Sequence, residues 1–161
     1  TVIYPSKVTI TQLTPDSVKV GSTYFCKTTL QNNWGSPKKP GSACGSYFPI
    51  IYAKNGLKIA ASDAGQGILL VDGDLEVSGG HEFYGPVIIK GTLTTTGTGG
   101  HFVGGVVAAN VNLDLSTVLG DAVIQFSSCS VARAILNNSA LTQVRPLERR
   151  SWVDLSSVIS G

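Results

Sequence analysis

Methionine is absent from these 161 residues, charged side chains make up only 14% of them, and aromatics 7%. That poverty suits turns and strands better than long helices. The net charge is only +2, and the basic residues are scattered. Lys38 and Lys39 share one Pro-rich loop, while Arg145, Arg149 and Arg150 lie near the C-terminus. Nothing here speaks for nucleic acid. No apolar run reaches the roughly 18 residues of a membrane span. There is no CxxC pair or Cys/His cluster with zinc spacing. There is also no phosphate-cradling Gly loop followed by Lys-Ser/Thr, and no GxSxG elbow. No cofactor or metal is implied. The chain opens at Thr1 without a hydrophobic leader, which reads as a processed product or an excised domain.

What the chain does have is glycine, 19 of them, and a repeat. The stretch GILLVDGDLEVSGGHEFYGPVIIKGTLTTTGTGGHF (67–102) says one phrase twice: apolar run, Gly, short alternating run, Gly-rich turn. In steps of 18 residues, Leu57, Leu75, Leu93, Val111 and Cys129 form one column. Ile59, Val77, Thr95, Leu113 and Val131 form a second, and Ala53, Val71, Ile89, Val107 and Gln125 a third. A fixed period near 20 residues with strand-like pieces marks a solenoid. Within a coil, Leu75 and Val77 point one way while Asp74 and Glu76 point the other. The inward residues find no cover within their own thin coil, so the next coil must supply it.

The expected fold is all-β. A single-stack β-helix of about 18 residues per coil, read as right-handed, follows an N-terminal β-hairpin and precedes a short capping helix and a final strand. Its core is expected at Leu57, Ile59, Leu75, Val77, Leu93, Val111, Leu113 and Cys129. Residues 1–47 read as N-terminal strands and a loop, 48–131 as five coils, and 132–161 as the helix and last strand, all in one unit. The hairpin would join residues 2–13 to 17–25 through Thr14-Pro15-Asp16. SCSVARAILNNSA (128–140) reads as the helix that caps the last coil, with Val131, Ala134 and Ile135 on one face. RSWVDLSSV (150–158) reads as the final strand, with Trp152 packed on the stack. Cys26 and Cys44 flank a loop rich in Asn, Gly, Pro and Lys, and a disulfide between them is favoured over free thiols. That bridge implies export. Cys129 then acts as a small buried hydrophobe.

Chemistry has few footholds. His81 and Glu82 sit at one corner and His101 at the next, where stacking would bring the two imidazoles together as ligands or an acid/base pair. Without a third ligand, polar corner residues beside Phe83 and Phe102 are the better reading. Asp72, Asp74 and Glu76 resemble the carboxylates of polysaccharide-cleaving solenoids. The next coil offers Lys90, Thr92 and Thr94 instead of further acids, so a solvated face with an Asp72–Lys90 pair fits better. The threonines of 92–98 form either an outward hydroxyl array for glycan or ice, or simply a β-prone solvated strand.

The run YFPIIYAKNGLKI, the 67–102 stretch, SSC at 127–129 and RSWVDL at 150–155, with NWGSPKKPGSAC (33–44) before them, resemble the C-terminal exported region of PilX-type bacterial pilus-assembly proteins. The resemblance covers roughly residues 24–155. In that family a hydrophobic pilin-like segment precedes the exported part, and this chain shows no such anchor. The family lends no catalytic motif. The coil pattern is also similar in architecture to bactofilins, β-helical proteins that polymerise end to end. The resemblance implies a non-enzymatic, extracellular or cell-surface structural module that acts in pilus-linked assembly or adhesion. Its partners would be proteins, pilins or further copies of itself, with no membrane span in this chain. Two rivals stand beside it. One is a self-associating filament subunit. The other is a carbohydrate-binding or carbohydrate-cleaving β-helix with Trp34 or Tyr84 as aromatic platforms.

Overall fold

The computed structural model describes residues 1–97, 99–113, 123–138 and 141. A parallel β-solenoid dominates, about three continuous turns of about 19 residues each. Three sides repeat. The first carries β5 (Ile50–Ala53), β8 (Ile68–Val71) and the middle of β10 (His81–Thr95). The second carries β6 (Leu57–Ile59), β9 (Leu75–Val77) and the end of β10. The third carries β7 (Ala64–Gln66), the start of β10, the start of β11 (Gly100–Leu113), and β12 (Val123–Phe126). β10 and β11 are long because they turn corners without losing strand pairing.

The columns follow from register. Leu57 sits opposite Leu75, Leu75 opposite Leu93, and Leu93 opposite Val111. Ile59, Val77, Thr95 and Leu113 stack the same way. Leu57, Ile59, Leu75, Val77 and Leu93 are fully buried, as like residues cover like. The third column slips by one residue. Ile89 faces Ala108 where Val107 was expected, because the 96–100 corner carries an extra residue compared with the corner beneath it. A bulge then restores the register: Lys90 and Gly91 oppose Ala109 alone, and Thr92 faces Asn110.

Several expectations need correction. β1 (Val2–Tyr4) and β2 (Val8–Ile10) do not form a hairpin arm. They pair in parallel with β5 and β6 and form the first rung of the stack. The hairpin is β3 (Ser17–Val20) with β4 (Thr23–Cys26), antiparallel and closed by Gly21 at φ +62°. Val111 occupies its column but is 54% exposed, because no described residue stacks on it. Cys129 is not in the core. Ser127 caps a helix, α1 (Ser128–Leu136), its hydroxyl accepting from the Ser130 amide at 3.2 Å, and the chain leaves the stack before Cys129, which is exposed. Leu113 pairs with Thr95, and its side chain lies outside the described residues, as does the expected strand at 150–158.

What α1 covers is a flank of the stack. Its first residues sit beside the last rung, where the Ser127 amide donates to Gly104 O. Ala134 is buried in a small cluster with Phe48 and Ile68, Arg133 lies over the Phe48 ring, and the Asn138 side chain donates to Phe48 O at 3.2 Å. Nine residues of helix span about 14 Å, close to three rung spacings of about 4.8 Å. The groove under the helix is lined by glycine. A Cβ on Gly85, at φ +139°, would collide with Gly67 O and stand 3.2 Å from the Ala134 Cβ.

Two substitutions in one column separate stacking from mere position. Leu75→Ala should cost about 3 kcal/mol by opening a cavity, whereas Val111→Ala should cost under about 1 kcal/mol. Urea titrations of both variants check this. Equal losses would mean that the last rung is as well covered as the middle ones.

Candidate functional site: a locked first rung and an open last rung

The first rung is closed. Its inward residues Val2, Tyr4, Ile10 and Leu13 are all buried. At Leu13 the chain departs for the hairpin, and it returns at Asn33 to finish the rung. The Leu13 amide donates to Asp63 Oδ2 at 2.9 Å, and the Gln66 amide donates to Trp34 O at 2.8 Å, so Trp34 takes the place of the missing third-side strand. Its indole fills a slot that Gly65 leaves empty: a Cβ on Gly65 would meet Trp34 Cε3 at 3.1 Å. Gly65 stands opposite Phe83, and Phe83 opposite Phe102, so the returning loop supplies the aromatic that this column lacks.

Hydrogen bonds lock that loop. The buried Asn33 side chain donates to Lys27 O at 2.9 Å and accepts from the Gly35 amide at 3.1 Å. Buried Gln66 donates to Gly45 O and Tyr47 O, each at 3.0 Å. Trp34 Nε1 donates to Gln31 O at 3.1 Å, as does the Tyr4 hydroxyl at 2.6 Å. The Cys26–Cys44 disulfide is formed and closes the insertion, with Cα atoms 4.8 Å apart.

His81 packs edge-on to Trp34, with ring centroids 5.9 Å apart, and it is fully buried. Neither ring nitrogen makes a hydrogen bond of full geometry among the described residues, although the Asp63 backbone lies near enough to favour the protonated ring. Burial pushes its pKa down to about 4, partly opposed by Asp63 and Glu82. His101 lies on the opposite surface. It stands over Glu82 in the register, and it is exposed where His81 is buried. The two imidazoles therefore do not converge. Among the described residues no group of three or more His, Cys, Asp or Glu is arranged to hold a metal.

The outer face shows charge pairing across rungs. Lys90 bonds Asp72 at 3.1 Å and Lys58 bonds Glu76. Asp74 accepts the Thr92 amide at 2.7 Å, which pins the corner before the threonine ladder. Lys38 bonds Glu82 at 2.6 Å and holds its carboxyl below the usual range, and Glu82 also accepts the Tyr84 hydroxyl. Each of these carboxylates thus has a partner within the fold. Trp34 is fully buried and offers no platform to a glycan. Tyr84 remains half-buried on the surface.

The last rung is open among the described residues. Val111 continues the Leu93 column. Ile124 continues the Phe83–Phe102 column and is 44% exposed. Phe126, beside Gly104, is 78% exposed. The sequence marks this end by the loss of charge: β11 and β12 carry no Asp, Glu, Lys or Arg. The structural roles of Trp34, Asn33 and Gln66 escaped sequence reading, because the insertion breaks the period before they arrive. A Gly at 65 in a column of Phe is the one available signal.

No family model, curated protein or solved structure matches this chain. No helix among the described residues is long and apolar enough to cross a membrane.

Two outcomes follow from the locked rung. The unfolded chain binds more protons than the folded one between pH 6.5 and about 4, because the His81 pKa is depressed in the fold. Stability is therefore full above pH 6.5 and falls as pH drops, by about 2 kcal/mol between pH 7 and 5. His81→Phe should flatten that slope in urea melts, and an unchanged slope would remove His81 as its source. Reducing the disulfide, with its sequence separation of 18, should cost about 3 kcal/mol. Thermal melts with and without reductant read this directly.

Proposed function

We propose that this chain is a non-enzymatic structural module of an exported, pilus-associated or cell-surface apparatus, acting in assembly or adhesion. The observation that carries the reading is the asymmetry of the stack. Among the described residues, a disulfide-closed insertion covers the inward side chains at one end, and at the other Val111, Ile124 and Phe126 are exposed on uncharged strands. Ends that differ in this way suit joining to a protein partner. The disulfide supports an oxidising destination. The sequence resemblance to PilX-type pilus-assembly proteins supplies the cell-surface setting. The pairing of Asp72, Asp74 and Glu76 within the fold weighs against carbohydrate cleavage.

Deleting the gene in its host and counting surface pili and adherent cells tests the proposal. The expected result is fewer pili or fewer adherent cells, restored by the wild-type chain and equally by Asp72→Asn with Asp74→Asn. Normal piliation and normal adherence in the deletion strain would overturn it. Restoration by wild type but not by the carboxylate variant would move the reading to carbohydrate chemistry.

A further inference from the structure

His81 is fully buried, and the residues around it are those that fasten the insertion (14–47) to the stack. Trp34 of the insertion packs edge-on to the ring, and Phe83 stands beside it with centroids 6.4 Å apart. Trp34 O accepts from the Gln66 amide, and the Leu13 amide, where the insertion departs, donates to Asp63. Lys38 of the insertion reaches Glu82, the residue after His81. The charged groups that face the ring are therefore Asp63, from the corner before β7, and Glu82 on its own strand, with Lys38 holding Glu82. Gly100 stands opposite from the next rung and brings no charge. A neutral imidazole suits this slot, whereas a cationic one needs a carboxylate or water. Asp63 is exposed and Glu82 half-buried, so both lie at the margin of the insertion. The disulfide does not tie the insertion down, because Cys26 and Cys44 both belong to it.

We propose that protonation of His81 releases the insertion from the first rung as one unit while the stack beneath stays folded. The cationic ring turns to Glu82 in place of Lys38, and Trp34 leaves the slot beside Gly65. Glu82 is held below the usual carboxylate range, so it is still ionised while the imidazole titrates. β1 and β2 keep their pairing with β5 and β6, and the disulfide keeps the lifted piece closed. The released form binds the extra proton, so it gains on the closed form as pH falls from 6.5 towards about 4. Returning to neutral pH reseats it. This event is local, and it is distinct from the loss of global stability that the same imidazole causes.

Amide exchange resolved by NMR tests this on the wild-type chain with its disulfide intact, from pH 7 to 4.5. Each rate is divided by the intrinsic rate at that pH. Protection of the Leu13 and Gln66 amides should fall by up to about tenfold per pH unit, and by about 50-fold over the range. Urea too dilute to unfold the chain should leave these two rates unchanged. The amides of β9, held between β6 and β10, should exchange only through urea-sensitive unfolding. His81→Phe keeps an aromatic ring in the slot and should make the Leu13 and Gln66 protection flat with pH. Lys38→Gln, at a surface position, should speed Gln66 exchange at pH 5 by about two- to fivefold without changing β9. Wild-type protection that does not vary with pH overturns the proposal. So does exchange at Leu13 and Gln66 that follows urea as β9 does, since the opening would then be global. Persistence of the pH dependence in His81→Phe overturns it as well.

Discussion

Everything in this molecule depends on one deficit: a coil of about 19 residues cannot cover its own inward side chains. Leu75 is buried only because Leu57 and Leu93 stand on either side of it in the register. The parallel ladder fixes that register, and the alternation of the strand fixes which residues turn in. Function is constrained from the same source. A stack that gains its stability between rungs has a weak point at each end, and the protein treats its two ends differently.

At the first rung the answer is a detour. The chain breaks off at Leu13, builds a hairpin and a disulfide-closed loop, and returns with Trp34 to complete the rung. Asn33 and Gln66 then satisfy backbone groups that the detour would otherwise strand in the interior. The buried His81 is the cost of this arrangement. It packs well against Trp34, and burial lowers its proton affinity, with the Asp63 backbone and the Asp63 and Glu82 charges opposing the drop in part.

The middle of the fold was legible in the sequence because periodicity there is uninterrupted. The columns through Leu57, Leu75 and Leu93, and through Ile59 and Val77, needed only arithmetic and the pleat. The Asp72–Lys90 pair followed from the same step, as did the Cys26–Cys44 bridge from the loop between them. Legibility failed wherever the chain left the period. The extra residue at the 96–100 corner shifted one column by a single place. The Ser127 cap turned the backbone into a helix before Cys129 could take a core position. The first rung was hidden because its strands lie far in sequence from the coil they pair with: Val2 opposite Ile51 cannot be found by stepping 18 residues. Of the candidate site, the solvated carboxylates were readable, whereas the closed and open ends were not. Exposure of Val111 depends on what stands above it in the stack, and no local pattern encodes that.

The helix along the flank has one more consequence. Repeat stacks ordinarily unravel from their ends, because a terminal rung has a single neighbour. Here α1 is tethered at the Gly104 carbonyl and again at the Phe48 carbonyl, so it acts as a buckle between distant rungs. Lifting the last rung means dragging the helix off Ile68 and Gly85 as well. Fraying at the last described rung is thereby coupled to the heart of the stack, and that rung behaves as part of one cooperative unit.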